Sequence, residues 1–167
     1  HRDRSSLALL ILDLNEFKSV NDALGHYIGD ELLVKVGDRI ITALRDVDTV
    51  ARLGGDEFAI LLPSNDSKSA EIVARKIIAA LDKQITIEGH RLFAKPSIGI
   101  AIYPRDGEDY HSLMAHADVA MYTAKRNRSG YAYYDAEHDI HSRGRLSLVN
   151  DLRHMLEQGG LELHYQP

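Results

Sequence analysis

Arg52-Leu53-Gly54-Gly55-Asp56-Glu57-Phe58 puts two adjacent carboxylates at the tip of an expected hairpin. Upstream, Thr49-Val50-Ala51 is short and rich in β-formers; downstream, Phe58-Ala59-Ile60-Leu61-Leu62 is a compact apolar run stopped by Pro63. A Gly-Gly pair between such runs favours a tight turn, because glycine reaches positive φ without steric cost. An acidic tip can serve only to face water. The residues around it decide whether these two do more.

Working outward, Leu7-Ala8-Leu9-Leu10-Ile11-Leu12 is a continuous apolar run ending at Asp13, which reads as a buried strand with a carboxylate at its carboxyl end. A polar turn region with Asn21, Gly25 and Gly29 is expected next. Residues 30–44 carry Leu33, Val36, Ile40 and Leu44 at helical spacing. Residues 69–81 repeat that pattern, with Asp66 or Ser67 as the expected cap. Residues 84–88 and 91–103 read as strands around a Gly89-His90 turn, and residues 109–125 as a helix with Leu113, Ala117, Ala120, Met121 and Ala124 on one face. Residues 131–134 form a short last strand. Helices interleaved with strands predict an α/β sandwich whose sheet contains the hairpin.

The 167 residues, 44% hydrophobic and 27% charged, suit one soluble globular domain. A net charge of −5 excludes a general nucleic-acid coat, which needs a basic face, but leaves room for a small phosphorylated ligand held by a few cations. The chain has no cysteine, so disulfides, thiolate metal sites and cysteine nucleophiles are excluded. No stretch reaches the roughly 20 apolar residues of a membrane span, and no signal-peptide pattern opens the chain.

If the first strand and the hairpin are sheet neighbours, Asp13, Asp56 and Glu57 converge into an oxygen-rich site suited to magnesium, which binds a few carboxylates together with substrate phosphates. Such a site supports phosphoryl or nucleotidyl transfer. Lys18, just after Asp13, and Lys125, at the end of the last helix, are candidate phosphate partners; both are equally compatible with solvated lysines. Asp30 could accept from the ring imino and exocyclic amine of guanine, and Asn21 could donate and accept. As ordinary structure, Asp30 would be a helix N-cap and Asn21 a turn residue. Chemistry alone leaves both open.

Taken together, Asp13-Leu14-Asn15-Glu16-Phe17-Lys18-Ser19-Val20-Asn21-Asp22, Gly25-His26, Gly29-Asp30 and the hairpin motif resemble the GGDEF family of diguanylate cyclases over residues 5–135. The resemblance implies a nucleotidyl cyclase or polymerase palm-like α/β sandwich, a central, mainly antiparallel sheet flanked by helices. It also implies condensation of two GTP into cyclic di-GMP by a homodimer of facing domains, with magnesium or manganese. By position, it assigns metal binding to Asp13, the Leu14 carbonyl and Asp56. Glu57 would serve the metal or deprotonate the attacking ribose hydroxyl. Guanine reading falls to Asn21 and Asp30, and phosphate binding to Lys18, the amides near Phe17, and Lys125. Arg45-Asp46-Val47-Asp48 stands where the family carries an RxxD inhibitory product site, with Arg75 a secondary candidate.

Two departures stand out. Asn15 replaces a frequent aspartate outside the ligand set, and Ser129 stands where a phosphate-binding arginine is frequent, so that Arg126 or Arg128 would substitute. The alternative to a working enzyme is a GTP-binding domain that regulates without turnover.

The tail has a different character. Residues 136–160 read as a connector helix, with Leu146, Val149, Leu152 and Leu156 at helical spacing before Gly159-Gly160. Asp151-Leu152-Arg153 and Leu161-Glu162-Leu163-His164-Tyr165-Gln166-Pro167 resemble the opening of an EAL phosphodiesterase domain, none of whose catalytic residues are present. The expected organisation is therefore a GGDEF domain over 1–135, the connector, and the first residues of an EAL domain over 161–167, in a cytoplasmic arrangement.

Overall fold

The structure, a computed structural model, describes residues 6–63 and 67–136. A five-stranded sheet in the order β2-β3-β1-β6-β7 is built from β1 (Leu7–Asn15), β2 (Thr49–Gly54), β3 (Glu57–Pro63), β6 (Lys95–Tyr103) and β7 (Tyr131–Tyr133). The central β1 runs antiparallel to β3 and β6, and only β7 pairs in parallel, with β6. The expected mixed α/β sandwich is therefore present. The described helices are α1 (Phe17–Leu24), α2 (His26–Ala43), α3 (Ser67–Leu81) and α4 (Tyr110–Asn127).

The apolar run of β1 is continuous because both of its faces are covered. Ala8, Leu10, Leu12 and Leu14 join the larger core with α2 and α3, together with Phe58, Ile60 and Leu62 of β3 and Ile98, Ile100 and Ile102 of β6. Leu9 and Ile11 face the other way, against Leu113, Ala117 and Met121 of α4. Side chains alternate along a strand, so Asp13 continues the α4-facing series. Helix α4 lies directly on the sheet at Gly99: a Cβ there would stand 1.9 Å from the Ala117 carbonyl oxygen and 2.2 Å from the Met121 nitrogen.

Three expectations need correction. The polar region after Asp13 is helix α1, whose Phe17, Val20 and Leu24 pack on the core at helical spacing; eight residues flanked by Glu16 and Gly25 at positive φ gave too short a pattern to read. Helix α2 starts at His26, so Asp30 lies inside the helix and is not its N-cap. The strand expected over 91–103 is broken. Its first part is β5 (His90–Leu92), paired with β4 (Ile85–Ile87) in a separate two-stranded sheet, and the turn between them is Glu88-Gly89, both at positive φ. Helix α3 includes Ser67, while Asp66 lies outside the described residues. Asp109 caps α4 through a reciprocal pair of bonds with Ser112. The connector beyond its first residue, and the EAL-like segment, also fall outside the described residues.

Candidate active site

The site begins with strand register. Asp13 of β1 is paired with Glu57 of β3 on one side and Ser97 of β6 on the other, which places the strand-end carboxylate beside the hairpin. The turn joining β2 to β3 consists of Gly55 and Asp56, with Gly54 opposite Glu57 and Gly55 at φ 53°. Arg52 holds this turn: its Nε and Nη2 both donate to the Gly55 carbonyl, at 3.0 and 2.7 Å. Asp56 and Glu57 thus project from a tip braced by a guanidinium fork.

From the opposite layer, the last turn of α4 brings Lys125, whose Nζ donates to Asp13 Oδ1 at 2.6 Å. Asp13 is buried, whereas Lys125 keeps much of its side chain in solvent. A further acid reaches the site from α4: Asp118, two turns before Lys125, which sequence reasoning overlooked. Partial burial, then Asp118, Asp13 and Asp56 in that order, push the Glu57 carboxyl above its ordinary range, and Lys125 opposes them. Partial burial and then Asp13 raise Asp118 in the same way. The signal available in sequence was the position of Asp118 beside Ala117 on the sheet-facing side of the helix, seven residues before Lys125.

The oxygen donors suit a hard divalent cation in their chemistry. Asp13 and Glu57 are cross-strand partners, and Asp56 adjoins Glu57 in the turn. Among the described residues, no three side chains of His, Asp or Glu are drawn close enough together to hold an ion, and the positive charge at Asp13 comes from Lys125.

The other predicted residues divide into two places. Phe17, Lys18 and Asn21 lie on α1, and Asp30 lies on α2, which packs against it. Lys18 and Asp30 are exposed. Asn21 Oδ1 is buried and accepts no hydrogen bond, an unusual state for a buried polar atom. Arg45 and Asp48 sit in the turn between α2 and β2, where the Arg45 amide donates to Asp48 Oδ2 at 2.9 Å while Asp48 Oδ1 is buried without a partner. Arg75 is engaged elsewhere, donating to Glu71 at 2.9 Å and to the Tyr131 hydroxyl at 2.8 Å. Ser129 Oγ donates to the Tyr131 carbonyl at 2.8 Å, and Arg126 and Arg128 are exposed.

The family described as diguanylate cyclase, GGDEF domain, matches residues 1–130. MucR of Pseudomonas aeruginosa, named a bifunctional diguanylate cyclase/cyclic di-GMP phosphodiesterase, is 44% identical over 167 residues, which is 99% of this chain and 24% of MucR. NbdA of the same organism, named a cyclic di-GMP phosphodiesterase, is 36% identical over 162 residues, 96% of this chain and 21% of NbdA. The chain therefore spans less than a quarter of the length of these curated relatives. The crystal structure of the GGDEF domain of TpbB from Pseudomonas aeruginosa aligns with a TM-score of 0.77 at 42% identity, covering 80% of this chain and 84% of that one. Fold, motif and matched span agree: this chain belongs to the diguanylate cyclase GGDEF-domain family.

Proposed function

We propose that this domain condenses two molecules of GTP into cyclic di-GMP, each GTP held by one of two facing copies. The observation that carries the reading is the cross-strand pair Asp13 and Glu57, with Asp56 beside it and Lys125 on Asp13. Asp13, Asp56, Glu57 and the Leu14 carbonyl would hold magnesium or manganese, which supplies charge neutralisation at the phosphates when bound. Glu57, whose carboxyl is raised by burial and by its acidic neighbours, suits acceptance of the proton from the attacking ribose hydroxyl. That hydroxyl oxygen would bond to the α-phosphorus of the facing nucleotide and pyrophosphate would leave. Lys18, the amides near Phe17, and Lys125 would hold the phosphates. Asn21 and Asp30 would read guanine, the unpartnered Asn21 oxygen being an acceptor in search of a donor.

Arg45 and Asp48 would form a product site that inhibits turnover, with the free Asp48 Oδ1 as its acceptor. Residues 136–160 would connect the domain to an EAL domain beginning at 161; the bifunctional name of MucR, similar along nearly the whole chain, favours an adjoining phosphodiesterase domain. The domain would act in the cytoplasm; no described helix is long and apolar enough to cross a membrane.

A second reading is a GTP-binding domain that regulates a neighbouring phosphodiesterase without turnover. It is favoured by the hold of Asp13 on Lys125 and by Ser129, whose hydroxyl is committed to the backbone. Chromatography of GTP incubated with the protein and magnesium separates the two readings: cyclic di-GMP supports the first, and retained but unconverted GTP supports the second.

A further inference from the structure

Gly29 lies within the first turns of α2, where glycine is the poorest helix former apart from proline. It is buried, and the space above it is already taken. A Cβ built on Gly29 would stand 1.9 Å from Asn21 Oδ1, 3.0 Å from Asn21 Cγ and 3.3 Å from Phe17 Cζ. The side chain of Asn21 therefore lies across the bare backbone of α2, and its oxygen is the atom left buried without a donor. One residue further along α2 is Asp30, the second acceptor of the proposed base site.

We infer that Gly29 is a specificity-determining positioning residue: by having no side chain, it lets the Asn21 amide seat against α2 beside Asp30, so that this amide and the Asp30 carboxylate together select a base with two donor groups. Guanine has two, the ring imino hydrogen and the exocyclic amine; hypoxanthine keeps only the first. Any side chain at position 29 displaces Asn21 and weakens selection of the amine, leaving the carboxylates on the sheet untouched. The same bare backbone leaves room for the tip of the Phe17 ring at the start of α1. This inference rests on the guanine-site reading proposed above.

The test measures binding of GTP and ITP to the intact chain by calorimetry, with no turnover required, in the wild type, Gly29→Ala, Asn21→Ala and the double variant. Wild type is expected to prefer GTP over ITP, and Gly29→Ala to narrow that preference by about tenfold, the worth of one misplaced hydrogen bond. Since the collision partner is Asn21, Gly29→Ala in the Asn21→Ala background should produce no further change in the ratio. If Gly29→Ala fails to fold, the double variant, in which the collision with Asn21 is gone and only the tip of the Phe17 ring must shift by a few tenths of an ångström, should fold. An unchanged GTP-to-ITP ratio in a folded Gly29→Ala, additive effects in the double variant, or a double variant that also fails to fold would each overturn the inference. Absence of nucleotide binding by the wild type would instead remove the reading on which it rests.

Discussion

Lys125 Nζ bonds Asp13 Oδ1 at 2.6 Å, joining the end of α4 to the end of β1 across 112 positions of sequence. The contact ties together the two layers of the sandwich at the carboxylate that the proposed chemistry needs most. It exists because α4 lies flat on the sheet over Gly99, which brings the last turn of the helix level with Asp13.

Breaking this pair should affect stability and ligand binding differently. Lys125→Met is expected to lower stability by roughly 1–3 kcal/mol, because the half-exposed ammonium is partly screened but its loss leaves the buried Asp13 carboxylate without a partner. GTP affinity should fall by about tenfold or more if the ammonium also serves phosphate. Thermal melts with and without GTP and magnesium separate the two effects.

The acidic cluster makes a pH prediction with a definite sign. The folded-state pKa of Glu57 is raised above its ordinary 4.5, so the folded protein loses stability relative to the unfolded chain as pH rises from 4.5 through the raised value. Glu57→Gln removes this penalty. Without metal or nucleotide, the variant should melt higher than wild type at pH 7, and the difference should vanish at pH 4. Asp118→Asn should behave in the same way, except that its reference of 3.8 moves the point at which the difference vanishes to about pH 3. A difference that grows toward acid would contradict the account.

Arg52 should matter for turnover more than for folding. Its side chain is exposed and its fork ends on the Gly55 carbonyl, so Arg52→Ala should shift stability by less than about 0.5 kcal/mol. Loosening of the Asp56-Glu57 tip should cost roughly tenfold or more in kcat. Arg52→Lys should recover little, because a lysine cannot reproduce the two-pronged contact.

At the proposed product site, Arg45→Ala removes an exposed guanidinium while its backbone amide still donates to Asp48. Basal turnover and melting temperature should hold, and inhibition by added cyclic di-GMP should be relieved. Unchanged inhibition would count against the site.

Much of this site could be read from the chain because its signals were local. The run ending at Asp13 and the glycine pair before Asp56 fixed a strand end and a hairpin tip, and the two met through ordinary antiparallel pairing. What escaped was long-range. Nothing near Lys125 in sequence indicates that Asp13 will hold it, and Asp118 looks like any solvated helix acid until α4 is placed on the sheet. Helix α1 is hidden by its shortness, and the start of α2 is masked because His26, Tyr27 and Gly29 obscure its first turns. The break between β5 and β6 lay inside a stretch whose residues suit a strand throughout, so only the pairing partners reveal it.

Turnover is tested by incubating the protein with GTP and magnesium at concentrations that force dimerisation and resolving the products by chromatography, with Asp56→Ala as the control. Wild type is expected to yield cyclic di-GMP and pyrophosphate, and the variant neither. Tight GTP binding by the wild type with no cyclic di-GMP formed would contradict the proposed activity.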